Sequence, residues 1–165
     1  MDWVLLFAVL LALIAAVAAW LKSRGATAAE LPYTKSPALL SPAERSFLGV
    51  LDQAVGSRYR VFAKVRVADV VGVQSMRDRS AWQRAFNKIS AKHFDFVLCA
   101  ADDLSVVAVV ELDDKSHKRS KRRERDSFLV DLCEAISLPL IQVPAQRAYS
   151  VSEIRAQVLQ GGAPA

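Results

Sequence analysis

Three carboxylates near the middle of the chain occupy positions where carboxylates are disfavoured. Asp95 lies at the start of the apolar run FDFVLC (94–99), Glu111 near the end of VVAVVEL (106–112), and Asp113 directly beyond it. Acidic residues are depleted in strands, and positions i and i+2 of a strand point to one face, so Glu111 and Asp113 share a side. Ala101-Asp102-Asp103 separates the two runs, which reads as an antiparallel hairpin with a short loop. With the turn centred near Asp103, residues whose numbers sum to about 206 face each other, which sets Asp95 across from Glu111. Like charges placed this way repel, and a divalent cation would neutralise them. Oxygen-only ligation suits Mg2+ or Mn2+ rather than zinc. The spacing equally allows Asp95 to cap a strand and Glu111-Leu112-Asp113-Asp114 to lead into a solvated loop.

The elements that must position these acids follow from periodicity. Ser41-Pro42-Ala43-Glu44 is a helix start, with Ser41 as N-cap, Pro42 at the first helical position and Glu44 placed to close a capping box. Ala43, Phe47, Val50, Leu51 and Ala54 recur at helical spacing behind it, predicting a helix of about 13 residues laid on a sheet. From Tyr59 to Val67 the odd positions are apolar, or Tyr, and the even ones are Arg60, Phe62, Lys64 and Arg66, the alternation of a half-buried strand. Trp82, Phe86 and Ile89 mark an amphipathic helix over 79–92 whose polar side is basic. Beyond the hairpin, Phe128, Leu129, Leu132, Cys133 and Ile136 mark the inner face of another helix. PLIQV (139–143) is a short strand and 151–159 a terminal helix. The order is α-β-(α)-β-β-α-β-α, without internal repeat.

An α-β-β-β-α-β core with Asp opening the second strand and Glu-x-Lys on the third resembles the restriction-endonuclease-like, or PD-(D/E)xK, superfamily. Asp95 matches the first acid and Glu111 the second, while Asp113 stands where that pattern has lysine. LLSPAERSFL, KISAKHFDFVLC and VVELDDKSH, followed by a basic run and Arg125-Asp126, resemble more specifically the bacterial family named domain of unknown function 2726, over roughly residues 39–145. Families related to very-short-patch-repair endonucleases carry a similar E-x-D-x-x-x-H arrangement, matched by Glu111, Asp113 and His117. The resemblance implies a mixed sheet flanked by helices and metal-assisted phosphodiester hydrolysis. It implies a metal site of Asp95, Glu111 and Asp113, with Lys115 or His117 taking the place of the lysine. Glu44 could reach the same metal, as first-helix acids do in many members, although capping explains it equally well. His93 reads as structural, and a plain loop histidine is the alternative for His117.

Lys115, Lys118, Arg119, Lys121, Arg122, Arg123 and Arg125 crowd the segment after the acids. Beside a cation site this suits a nucleic-acid backbone, bound without strong sequence preference. A solvated helix face or contact with an anionic membrane leaflet would use the same charges. The formal net charge of +5 agrees with a polyanionic partner without choosing one. Cys99 and Cys133 are far apart, sit in apolar segments and lack zinc-site spacing, so they read as buried thiols.

Residues 4–21 carry no charged side chain, and as a helix reach about 27 Å, close to the hydrocarbon thickness of a bilayer. Trp3 and Trp20 stand near the ends, Lys22 and Arg24 follow, and Asp2 precedes. The charge asymmetry predicts a single-pass anchor with the following domain cytoplasmic, and the resemblance to a bacterial family implies that the membrane is the bacterial inner membrane. A cleaved signal peptide is the competing reading, with Ala26, Ala28 and Ala29 as cleavage-site residues, although its first residues would lack Lys or Arg. The expected layout is a membrane anchor (1–24), a linker (25–40), one α/β domain (41–160) and a tail (161–165). Three functions fit: a membrane-tethered metal-dependent nuclease, a non-catalytic nuclease-like module binding nucleic acid or anionic lipid, or a secreted interaction domain. Oligomeric state does not follow from the sequence.

Overall fold

The structure, a computed structural model, describes residues 2–24, 31–113 and 120–161, without the side chains of 2, 22–24 and 120–126. Two compact units divide the chain, Met1–Pro37 and Ala38–Ala165. The first contains helix α1 (Asp2–Arg24). Its stretch Trp3–Leu21 is 19 residues long with mean hydropathy 2.9 and none of it buried, so it is long and apolar enough to cross a membrane. A core helix would bury at least one side, and this one buries none.

The second unit is a mixed α/β fold. Helix α2 (Pro42–Val55) starts as its sequence predicts. The Ser41 hydroxyl accepts the Glu44 amide at 3.3 Å, and Glu44 Oε2 accepts the Ser41 amide at 2.8 Å. The helix ends at Gly56, whose φ of +61° a residue with a Cβ would adopt only under strain. Strand β1 (Tyr59–Arg66) comes next, then a one-turn helix α3 (Val67–Val70) and helix α4 (Arg79–Ser90). Strands β2 (His93–Ala100) and β3 (Val106–Asp113) form the expected antiparallel hairpin. Helix α5 (Ser120–Ala135) carries the chain across to strand β4 (Leu140–Pro144), parallel to β3, and helix α6 (Val151–Gln160) completes the unit.

The four strands lie in the order β1-β2-β3-β4, antiparallel except for the last pair. One face buries Phe47, Leu51 and Ala54 of α2 and Ile154 and Val158 of α6 against Phe96, Leu98, Val110, Leu112 and Val143. The opposite face buries Leu129 and Cys133 of α5 and Ile89 of α4 against Phe94, Val97, Cys99 and Val109. The expected inner faces are trimmed at their ends. Ala43 is exposed in the first turn of α2, and Ile136 is 44% exposed because α5 stops at Ala135. The four-residue α3 carries too few residues for a helical period to show in sequence.

Apart from a register shift between β2 and β3 at Leu98/Cys99, the sheet departs from strict alternation beside its acids. Phe94 and Phe96 are two apart on β2, yet pack in opposite cores. Across from them, Ala63 packs with the α2 side and Val65 with the α5 side. Residues i and i+2 of a regular strand share a face, so both strands break pleat at one level. The residues between are Lys64, at φ +55°, and Asp95. The flanking pairs Ala63↔Phe96 and Val65↔Phe94 set these two opposite each other.

Candidate acidic site at the pleat break

β2–β3 pairing follows the expected register at Phe96↔Val110, Val97↔Val109 and Leu98↔Ala108, and shifts by one residue next to the loop, where Cys99 pairs with Val106. One step beyond Phe96, away from the loop, Asp95 lies opposite Glu111, and side chains continue the ladder. Asp95 Oδ2 accepts the Leu112 amide at 3.1 Å, and Glu111 Oε1 accepts the Asp95 amide at 3.1 Å. Each carboxylate thus satisfies a main-chain donor where the strands part. Leu112 packs toward α2, so by alternation its neighbour Glu111 faces α5. The Cys133 thiol on α5 agrees: burial pushes it up to about 11, with a smaller contribution from the Glu111 charge. Asp113 is exposed at the end of β3, where its carbonyl accepts the Ala145 amide at 2.8 Å.

From the opposite face α2 contributes Glu44. Lys64 Nζ lies 2.6 Å from Glu44 Oε1 and 2.7 Å from Asp95 Oδ1, joining the first helix to the second strand through one ammonium. The pair is largely shielded, with Lys64 28% exposed and each carboxylate 16%. Burial works against the ionised form of Glu44, but hydrogen bonds from Lys64 and from the Ser41 amide and hydroxyl outweigh it and hold the carboxyl below its usual range. Burial likewise works against the Lys64 ammonium, but Asp95 and Glu44 outweigh it and raise its pKa. Among the described side chains, Lys64 joins Glu44 to Asp95, and the Asp95 amide ties in Glu111.

The structure therefore brings Asp95 next to Glu111 and adds Glu44 through Lys64. Asp113 stands two residues on at the exposed strand end. Among the described residues no set of three or more His, Cys, Asp or Glu is arranged to hold a metal ion. Lys115, His117, Lys118 and Arg119 lie outside the described residues. The backbone of Lys121, Arg122, Arg123 and Arg125 belongs to the first turns of α5, and their side chains lie outside the description. His93 opens β2 opposite Arg66 and is exposed.

Lys64 is the residue that sequence reasoning missed. Alternation assigns it to the polar side of β1 with Arg60 and Arg66, whereas it turns inward at the pleat break. One signal was available: antiparallel pairing of β1 with β2 opposes a lysine to the first acid. Finding it required knowing that these two strands are neighbours.

No curated protein and no solved structure matches the chain. A family model described as "Protein of unknown function (DUF2726)" matches residues 36–161, which takes in every described element of the second unit. The motifs that suggested this family include Glu44 in LLSPAERSFL, Asp95 in KISAKHFDFVLC and Glu111 in VVELDDKSH; Lys64 links the first two acids, and the Asp95 amide links the third. The chain belongs to this DUF2726 family.

Proposed function

We propose that the α/β unit is a metal-dependent nuclease of restriction-endonuclease-like type, hydrolysing phosphodiester bonds of nucleic acid and held at the bacterial inner membrane by α1 with its domain cytoplasmic. The observation that carries the reading is the pairing of Asp95 with Glu111 across β2 and β3, with Glu44 and Lys64 at the same corner. The element order α2-β1-β2-β3-α5-β4, with α3 and α4 inserted, is the order that the superfamily resemblance implies.

The donors fit a hard divalent cation such as Mg2+ or Mn2+. They are carboxylate oxygens, the ligands such cations favour. Asp95 and Glu111 would hold the ion, with Asp113 as third ligand. Such an ion, when bound, supplies charge neutralisation at the phosphoryl group and lowers the pKa of an attacking water. The chain's own residues do the rest. Leu112 N fixes Asp95 Oδ2, and Asp95 N fixes Glu111 Oε1, so both acids keep their orientation without the ion. Lys64, Lys115 or His117 would place positive charge near the scissile phosphate or move a proton. Lys118, Arg119, Lys121, Arg122, Arg123 and Arg125 would contact the backbone beside it, as would exposed Arg79, Arg84 and Lys88 on α4, which leads into β2.

A second reading, a non-catalytic module binding nucleic acid or anionic lipid, is favoured by one observation. Both Asp95 oxygens are already engaged, one by Lys64 and one by the Leu112 amide. The test incubates the full chain in detergent with supercoiled, linear and single-stranded DNA and with RNA, in Mg2+ or Mn2+. Metal-dependent cleavage lost in Asp95→Ala and Glu111→Ala is the expected result. Cleavage equal in wild type and both variants would remove the catalytic assignment, and metal-independent binding without cleavage would favour the module.

A further inference from the structure

Among the described residues of helix α4, Ile89 alone belongs to a core. It lies near the C-terminal end of the helix and packs with Phe94 and Val97 on the α5 face of the sheet, the face that Glu111 turns to. Trp82 and Phe86, two turns and one turn earlier, are part of neither core. They stack on each other instead, with planes 7° apart and ring centroids 5.2 Å apart, and both are half-buried. A near-parallel pair at that separation is offset, so each ring leaves part of the other's face uncovered. The exposed charges around them are Arg77, Arg79, Arg84 and Lys88, with Asp78 the one acid between 74 and 90. Asp78 caps the helix by accepting the Ser80 amide at 2.8 Å, and lies 3.7 Å from an Arg84 that is 68% exposed.

Such a surface fits a polyanion that also carries apolar faces. A lipid leaflet takes up an amphipathic helix by its apolar side, but α4 turns that side toward the protein at Ile89. What it leaves at the surface is two flat rings among guanidinium and ammonium groups, which suits a base together with its phosphate. Bases in a duplex are already stacked on one another, whereas an unpaired base has a face to offer. We infer that α4 is a stacking platform for unpaired bases: a base extends the Trp82–Phe86 stack while Arg79, Arg84 and Lys88 hold the flanking phosphates. Single strands thereby gain a contact that duplex does not. The inference rests on nucleic acid being the partner, as proposed above, and narrows it to single strands. It requires neither an ion nor cleavage.

The test measures binding by fluorescence anisotropy, with the full chain in detergent and a chelator present. The probes are a labelled oligothymidylate of about 16 nucleotides, its abasic counterpart with the same number of phosphates, and a duplex of equal length. Wild type binds the oligothymidylate at least about fivefold tighter than the abasic strand, the lower end of one aromatic–base stack. Trp82→Leu keeps an apolar side chain without a ring and loses that margin, Trp82→Phe retains it, and duplex binding is the same in all three. Far-UV circular dichroism reports folding. Equal affinity of wild type for the two single strands overturns the platform, as does a folded Trp82→Leu that keeps the margin. Should Trp82→Leu not fold, a chain carrying Trp3→Phe and Trp20→Phe decides, because Trp82 is then its one tryptophan. Emission quenched by the oligothymidylate and not by the abasic strand supports the platform, and an equal response to both overturns it. Emission that shifts between phosphatidylcholine and phosphatidylglycerol nanodiscs but with neither strand overturns it in favour of a leaflet. Absence of binding to every probe by wild type overturns the platform together with the nucleic-acid partner. Cleavage in Mg2+ or Mn2+ is scored separately. A ring-dependent margin without cleavage keeps the platform and removes the nuclease, whereas cleavage without the margin does the reverse.

Discussion

Replacing Lys64 by Met tests whether the acids at the pleat break depend on its charge when no divalent ion is present. Methionine keeps much of the stem and removes the ammonium, leaving Glu44 and Asp95 without their shared counter-charge. A hydrogen bond to a charged group contributes about 1.5–3 kcal/mol, and here there are two. They share one donor that is 28% exposed, so solvent screens part of each and they do not simply add. We expect a loss of about 2 kcal/mol, which for a unit of about 130 residues lowers Tm by about 7 °C. The measurement is thermal melting by circular dichroism in detergent with a chelator present. The pH dependence carries a definite sign. Glu44 has its pKa depressed, so its contribution is present above the ordinary carboxylate range and is lost as pH falls through the lowered value. Lys64 has its pKa raised, so its contribution is present below the ordinary lysine range and is lost as pH rises through the raised value. The gap between wild type and variant should therefore be widest near neutrality and close at both extremes. Equal melting at pH 7, or a gap that widens below about pH 4, would refute the reasoning.

Phe47 is fully buried on α2, 5.0 Å from the Tyr149 ring and 5.5 Å from that of Phe96, so Phe47→Ala should cost about 3–5 kcal/mol by chemical denaturation. Ser41→Ala removes the side-chain half of the capping box and should cost about 1 kcal/mol by the same assay. Cys133 is 1% exposed with its thiol pushed up to about 11, so a maleimide at pH 8 should label it only after denaturation, followed by mass spectrometry. On the proposed anchoring by α1, Leu10→Arg with Ile14→Arg sets two charges mid-way along that helix, at about 2.5–3.5 kcal/mol each in a bilayer, and should move the protein from the membrane to the soluble fraction.

Most elements were legible because each had a local cause. The capping box and its proline fixed the start of α2, the run of Phe47, Leu51 and Ala54 fixed its buried face, and β-branched runs on either side of a polar turn fixed the hairpin. The Asp95–Glu111 juxtaposition was legible for the same reason, since a short loop leaves an antiparallel register little freedom. The basic charges after Asp113 were legible as composition. Their placement relative to the acids depends on side-chain positions, and sequence carries no register for a segment outside the sheet.

Lys64 was hidden by the rule that made its strand readable. Alternation rests on an unbroken pleat, and a single residue at φ +55° inverts the facing of the residues beyond it without changing the apolar count. A left-handed conformation costs a non-glycine residue about 1–2 kcal/mol, so the surroundings must hold it there. Here they do so from three directions: Glu44 on α2, Asp95 on β2, and the opposed packing of Ala63 and Val65 on the two faces. Restoring regular alternation would send Lys64 to the α5 side, away from Glu44. The strain and the ion pair are thus one feature, and the corner that gathers charge is also where two strands give up their regular geometry together.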